Sequence, residues 1–375
     1  MKIIQPVELN SLLNILQKKG FKLIGPTINE GAIIYDEIHS VSDLPCGWRD
    51  VQEGGKYKLE RRNDNLYFGY VVGPQSLKKF LFPSVQRLWQ SKKSNNGFEI
   101  LPEKTNKIKY AFIGVRSCDL DAIQIQDKIF IEGKVINPGY KSRRDEAFIL
   151  AVNCVEPGGN CFCTSVGSGP KALKGFDLCL TEMIKGDDHL FLIETGSKSG
   201  EKILSEISSR NAEKVEIEFS KKLIQKASLK MGKSIDALNT KESLLNNFDH
   251  HEWEEVAKKC LSCANCTMVC PTCFCVTIED TTDLTGEIAE RWQKWDSCFT
   301  LEHSYIHGGS IRSSTKSRYR QWLMHKLSSW YDQFGTSGCV GCGRCITWCP
   351  VGIDITVEAQ KICESKQFQK VITEK

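Results

Sequence analysis

The spacing of apolar side chains predicts an α/β fold for the first two thirds of the chain. Residues 7–19 carry leucines at helical spacing and end at Gly20, which indicates a helix. Short apolar runs of the β type follow, and helix-like stretches separate several of them. These runs are residues 21–24, 32–35, 66–72, 109–115, 147–152 and 189–193. Such an order predicts a mixed or parallel sheet.

The pattern changes towards the C-terminal third. Residues 197–250 are polar and lysine-rich at helical spacing, so we expect helices that lead into a second domain. We therefore predict an α/β domain at residues 1–245. A mostly α, ferredoxin-like domain follows at residues 246–375, with a long insertion at residues 276–338.

Cysteine content is the unusual feature of the composition. The chain has 18 cysteines in 375 residues, and a chain of this length does not need disulfides to build a core. Metal or redox chemistry in a reducing compartment is the better interpretation. The N-terminus has no apolar signal core, and no apolar run is long enough to span a membrane. We expect a soluble cytoplasmic protein that does not bind membranes.

The motif C-x2-C-x2-C-x3-C-P occurs twice, at residues 260–271 and 339–350. A tight turn supplies three thiolates to a cubane, and in two-cluster ferredoxins the fourth cysteine ligates the other cluster. This rule predicts two 4Fe-4S clusters with exchanged fourth ligands. The first set is Cys260, Cys263, Cys266 and Cys349, and the second is Cys339, Cys342, Cys345 and Cys270. Zinc ribbons also pair C-x2-C units, but they do not explain triplets followed by Cys-Pro.

A third group of cysteines follows two of the predicted strands. Cys118 and Cys154 come after apolar runs that we expect to be neighbouring parallel strands, whose carboxyl ends open at one sheet edge. Cys161 and Cys163 return on the next loop, which predicts a third 4Fe-4S cluster. Asp119 is the substitute ligand if Cys118 points elsewhere, and otherwise an N-cap of the following helix. A zinc or redox-active thiol site and ordinary buried cysteines remain alternatives.

The other cysteines and the insertion give weaker signals. Cys273, Cys275 and Cys298 lie beside the first motif in sequence. Three interpretations stay open for them: they complete the third site, they ligate another group, or they are thiols packed against a cluster. Cys46, Cys179 and Cys363 are predicted to be ordinary thiols. His303 and His307 are four apart and fit one helix face, but no carboxylate or third histidine accompanies them as a metal site would require.

Several function classes receive little support. The 68 residues between Cys270 and Cys339 are rich in tryptophan and arginine, but the net charge of the chain is only +4, which disfavours nucleic acid as a partner. No G-x-G-x-x-G follows a strand and no P-loop is present, so the chain has no nicotinamide or flavin signature of its own. The sequence therefore favours a relay between partners. An enzyme that binds substrate at the Cys118 pocket is an alternative of another class.

Seven sequence blocks resemble the β subunit of soluble NAD(P)-linked nickel–iron sulfhydrogenases. They are Leu44-Pro45-x-Gly47-Trp48-x-Asp50, Gly114-Val-Arg-x-Cys118-Asp119, Asn153-Cys154 with Cys161-Phe162-Cys163, Gly175-Phe176-Asp177-Leu178, Cys270-Pro271-Thr272-Cys273-x-Cys275, Trp295-Asp296-Ser297-Cys298 and Cys339-Val-Gly-Cys342-Gly-Arg-Cys345. The A subunit of anaerobic sulfite reductases is similar in the same cysteine blocks, whereas residues 44–89 look more like the hydrogenase type. Cys46 occupies a position that the family pattern leaves open.

The resemblance implies a heteromeric complex. Its other members would be a nickel–iron large subunit, a small iron–sulfur subunit and a flavin- and NAD(P)-binding subunit, between which this chain relays electrons. In the sulfite reductase alternative the electrons would pass to a sirohaem subunit. Either way the resemblance implies that this chain breaks no substrate bond itself, so it assigns no catalytic residue.

Overall fold

The chain alternates strands and short helices through residues 1–95, 97–103, 108–186 and 188–364, which the computed structural model describes. The strands are β1 (Lys2–Ile4), β2 (Lys22–Asn29), β3 (Ala32–Glu37), β4 (Trp48–Glu53), β5 (Lys56–Arg61), β6 (Val85–Ser94), β7 (Gly97–Pro102), β8 (Tyr110–Val115), β9 (Phe148–Val152), β10 (Leu178–Lys185), β11 (Asp188–Thr195), β12 (Arg210–Asn211), β13 (Val276–Thr282), β14 (Ile288–Trp295), β15 (Tyr305–Ile306) and β16 (Gly309–Ser310). The helices are α1 (Pro6–Lys18), α2 (Lys78–Leu81), α3 (Ser117–Phe130), α4 (Pro138–Asp145), α5 (Lys198–Leu204), α6 (Lys214–Leu229), α7 (Ala237–Asn246), α8 (Glu252–Lys259), α9 (Asn265–Met268), α10 (Thr315–Met324), α11 (Trp330–Phe334), α12 (Arg344–Thr347) and α13 (Ile355–Glu364). A π-helical turn, His325–Ser329, joins α10 to α11.

An eight-stranded mixed sheet organises the N-terminal region, as the hydrophobic pattern predicts. Its strand order is β12-β1-β11-β10-β9-β8-β2-β3. The neighbours β2, β8, β9 and β10 run parallel, and the outer pairs are antiparallel. Nearly every side chain of β8 and β9 is buried, because helices and loops cover both faces of a parallel sheet centre. The leucine stripe of α1 is fully buried on the same core.

A second sheet joins two segments that are far apart in the sequence. Strands β13 and β14, from the predicted insertion, form a hairpin that pairs with β6 and β7 in the order β13-β14-β6-β7. The insertion therefore contains strands as well as α10 and α11, and the expectation of a mostly α C-terminal region is not confirmed. The hydrophobic pattern did not predict these strands, because their side chains are largely polar and only partly buried. The division at residue 245 stays a prediction.

Residues 66–72, predicted as a strand, belong to no sheet. Their alternating apolar side chains are buried, which explains the strand-like pattern. The backbone of this segment, however, forms hydrogen bonds with buried side chains from elsewhere in the chain instead of with a neighbouring strand. The Glu182 carboxylate accepts hydrogen bonds from the amides of Tyr67 and Phe68, 2.7 and 2.9 Å away. The Arg116 guanidinium donates to the carbonyls of Phe68 and Tyr70 at 2.5 and 2.6 Å. These two side chains therefore supply backbone hydrogen bonds that a neighbouring strand would otherwise provide.

A separate apolar core surrounds the cysteine motifs. Trp253, Tyr319, Trp322 and Leu323 form its centre, together with residues of α12 and α13. The tryptophans Trp322 and Trp330 of the insertion are buried, as expected for core aromatics. Among the helices of the described residues, none is long and apolar enough to cross a membrane.

Candidate metal centres

The first site is a cavity lined by the first predicted quartet, Cys260, Cys263, Cys266 and Cys349, and also by Cys345. Helix α8 ends at Cys260, and the chain then turns sharply because Ser262 and Ala264 adopt left-handed conformations with φ of 52° and 66°. Non-glycine residues seldom adopt this conformation, so the surrounding structure must hold the turn in place. It brings the three closely spaced thiols of the motif into one cavity with Cys349, which comes from the other motif.

The lining of this cavity suits a group that accepts hydrogen bonds. The amide of Ser262 donates to Cys260 Sγ at 3.4 Å, and the amide of Ile353 donates to Cys349 Sγ at 3.3 Å. The Tyr319 hydroxyl is buried and has no hydrogen-bond partner among the described residues. The same holds for Trp322 Nε1. Sulfurs of a bound cluster accept such bonds, so this donor set fits a 4Fe-4S cluster.

The second site contains the three cysteines of the second motif, Cys339, Cys342 and Cys345, near Cys270. Burial raises the pKa of Cys345 well above its ordinary value, and the neighbouring thiolates of Cys339, Cys342 and Cys270 raise it further. Cys270 therefore lies within electrostatic reach of the motif that the ferredoxin rule assigns to it. The amide of Gly341 donates to Cys339 Sγ at 3.4 Å. Burial raises the pKa of Cys339, Cys342 and Cys345, whereas a hydrogen bond from Cys273 lowers the pKa of Cys270 well below its ordinary value. Bound iron ions would favour loss of the protons from all four thiols.

The third site lies where the parallel strands β8 and β9 end. One cavity is lined by all four predicted cysteines, Cys118, Cys154, Cys161 and Cys163, and also by Cys342. Burial raises the pKa of Cys118 and Cys161 well above the ordinary value and that of Cys163 to about 12. Arg116 Nε also faces this region, buried and without a partner among the described residues. The donor set again fits an anionic sulfur cluster.

Asp119 forms a buried ion pair with Arg344. Its two carboxylate oxygens accept from the guanidinium of Arg344 at 2.7 and 3.0 Å, and Tyr35 donates to it at 3.2 Å. Arg116, not Asp119, is the N-cap residue of α3. Arg344 lies inside the second motif, so this pair connects that motif to helix α3. The arginine was missed at sequence level, although its position between Cys342 and Cys345 was a visible signal.

The three sites touch one another in the order first, second, third. Cys345 of the second motif lines the first cavity, and Cys342 lines the third. The loop that carries Cys161 and Cys163 contacts the second motif directly, because the Phe162 amide donates to the Gly341 carbonyl at 2.8 Å. The predicted cysteine ligands of neighbouring sites therefore lie close to one another. Of the 12 predicted ligands, Cys263 in the first site is the exposed one.

Cys273, Cys275 and Cys298 line neither the first nor the third cavity. The Cys273 thiol hydrogen-bonds to Cys270. Cys275 accepts hydrogen bonds from Cys298 and His303, which lower its pKa to about 4, and the contact with Cys275 raises the pKa of His303 to about 9. His303 Nδ1 also lies 2.6 Å from Asp296 Oδ2, a carboxylate that sequence reasoning overlooked within the Trp-Asp-Ser-Cys block.

The remaining candidates occupy ordinary positions. His303 lies in a 3-10 turn and His307 follows β15, so the two do not share a helix face. Cys46 Sγ donates to the Asn65 carbonyl at 3.1 Å, Cys179 is buried in β10 and Cys363 lies in α13. Within the described residues, no three His, Cys, Asp or Glu side chains converge closely enough to hold a single metal ion.

Comparison with known proteins decides the family. A family model described as a 4Fe-4S dicluster domain matches residues 259–353. Sulfhydrogenase 2 subunit beta of Pyrococcus furiosus is 31% identical over 311 residues, which cover 81% of this chain and 88% of that protein. The chain belongs to the sulfhydrogenase β-subunit family. The resemblance noted from the sequence blocks is thereby confirmed. In this sulfhydrogenase β-subunit homologue both C-x2-C-x2-C-x3-C-P motifs lie inside the dicluster match, whereas the third site lies outside it. No solved structure matches the chain.

Proposed function

We propose that this iron–sulfur electron-transfer subunit carries three 4Fe-4S clusters in a line. The observation that carries the proposal is the contact between neighbouring sites, because Cys345 lines the first cavity and Cys342 the third. The first cluster is assigned to Cys260, Cys263, Cys266 and Cys349. The second is assigned to Cys339, Cys342, Cys345 and Cys270. The third is assigned to Cys118, Cys154, Cys161 and Cys163.

In this assignment the clusters supply reversible one-electron transfer, and the chain supplies their environment. The thiolates hold the clusters, and backbone amides such as those of Ser262 and Ile353 donate to ligand sulfurs. The apolar shell of Phe299 and Trp322 excludes water from the first cavity. Arg344 holds the second motif against the third site through Asp119.

The proposed partners are a nickel–iron hydrogenase large subunit, its small iron–sulfur subunit and a flavin- and NAD(P)-binding subunit. The name of the Pyrococcus furiosus relative, a sulfhydrogenase subunit beta, supports this set over a sirohaem-containing sulfite reductase. The exposed Cys263 marks the first site as one end of the relay.

The test combines purification and spectroscopy. An affinity-tagged chain is purified anaerobically from its native host, the bound subunits are identified by mass spectrometry, and the complex is reduced with hydrogen. We expect the hydrogenase and flavin subunits to co-purify and iron–sulfur EPR signals to appear in this chain. Co-purification of a sirohaem subunit, or a chain that stays oxidised under hydrogen, would contradict the proposal.

A further inference from the structure

Two buried lysines lie beside the second site without a carboxylate. Lys78, at the start of α2, and Lys326, in the π-helical turn, have only 4% and 3% of their surface exposed. Neither ammonium forms an ion pair with an Asp or Glu of the described residues. A buried ammonium without a counter-charge is strongly disfavoured, so a fold that keeps two of them indicates an anion nearby.

The hydrogen bonds of the two ammonium groups include no carboxylate, and the acidic group in contact with Lys326 is the Cys270 thiol. Lys326 Nζ donates to Thr272 Oγ1 at 2.8 Å and to the Gly338 carbonyl at 3.2 Å. Lys78 Nζ donates to the Cys273 carbonyl at 3.1 Å and lies 3.8 Å from the centre of the Trp295 ring. These contacts fix the positions of the lysines, and Cys270 and Cys273 act electrostatically on both charges.

The contacts lead to ligands of the second site. Thr272 Oγ1, which accepts from Lys326, lies 3.2 Å from Cys270 Sγ. Gly338, the other acceptor, directly precedes Cys339. A cluster held by four thiolates is an anion, and reduction adds one more negative charge. The required counter-charge is therefore the second cluster itself, and positive charge nearby favours its reduced form.

We propose that Lys78 and Lys326 are the counter-charges of the second cluster and hold its reduction potential above that of the first. The inference rests on the proposed function, because it needs both clusters. The first cavity offers the contrast, since no Lys, Arg, Asp or Glu lines it. Electron transfer from the surface cluster at Cys263 to the second cluster is then downhill.

The experiment compares Lys326→Met and Lys78→Met in the full chain, reconstituted anaerobically. Methionine keeps the length and apolar stem of lysine and removes the charge. EPR-monitored redox titration should show the potential of one cluster lowered in each variant, with the potentials of the others unchanged. The control is Lys22→Met, which removes a charge from an exposed ion pair with Glu37 on the outer strands. It should leave every potential unchanged.

A second measurement excludes a merely structural role. In the cluster-free protein each lysine variant should unfold at the same urea concentration as the wild type or a higher one, because a buried charge without a carboxylate partner has been removed. Full iron content with unchanged potentials in both variants would overturn the inference and leave the proposed function intact. A wild-type chain that holds no clusters would instead overturn the proposed function.

Discussion

At the scale of single residues, Arg344 couples the second motif to helix α3 of the N-terminal region. Its guanidinium contacts both oxygens of Asp119, and Arg344 Nε donates to the Gly73 carbonyl at 3.1 Å. The side chains of Arg344 and Asp119 are 5% and 1% exposed. Removing one partner of such a buried pair leaves the other charge unpaired, which is far more costly than losing a surface pair. Pattern reasoning found the cysteines beside Arg344 but not the ion pair, because its partner is 225 positions away.

Arg344→Met should therefore lower the free energy of unfolding of the cluster-free chain by about 3–5 kcal/mol. Urea unfolding followed by circular dichroism measures this change. Arg49→Met, which breaks an exposed pair with Glu60, is the matched control and should change the free energy by less than about 1 kcal/mol. Equal effects of the two substitutions would show that the buried pair has no special role.

At the scale of elements, the tight turns of the motifs decide how the sites meet. Gly341 and Gly343 both have left-handed backbones, and a Cβ on either would press into residues 160–163. Strands β8 and β9 could be predicted, because continuous apolar runs are typical of buried parallel strands. The β6–β7 and β13–β14 hairpins could not, since their polar, half-exposed side chains resemble those of loops and their pairing joins distant segments.

Gly341→Ala should disrupt the junction of the second and third sites. Its Cβ would lie 2.6 Å from the Cys163 amide nitrogen, with backbone atoms that cannot move aside. We expect loss of iron from both sites after anaerobic reconstitution. Gly335→Ala is the control, because Gly335 has a similar φ of 70° but nothing within 4 Å of the added Cβ. Full iron content in Gly341→Ala would contradict the close packing of the two loops.

At the scale of the whole molecule, residues far apart in sequence build each site. The first cavity combines residues 260–266 with Cys349, and the third combines the ends of two strands with a loop and Cys342. The quartets could be proposed from spacing and from strand order. The buried cations Lys78, Arg116 and Lys326 could not, because nothing in their local sequence distinguishes them from surface lysines and arginines.

Exchange of the fourth ligands can be tested at this scale. Cys349→Ser should remove the EPR signal of the first cluster or convert it to a three-iron form, and Cys270→Ser should do the same to the second. The reason is that each cysteine lies near the thiols of the other motif. The control is Cys46→Ser, which should retain every signal. If Cys270→Ser alters the first cluster instead, each motif closes its own site.

The central claim is that three cubane clusters lie in one chain, and metal analysis tests it most directly. Iron and acid-labile sulfide are measured per chain after anaerobic purification of the full-length wild type and of Cys154→Ser, which removes a ligand of the third site alone. At four iron per cubane, we predict about 12 iron and 12 sulfide for the wild type and about eight of each for Cys154→Ser. A wild-type value near eight that Cys154→Ser leaves unchanged would contradict the three-cluster relay.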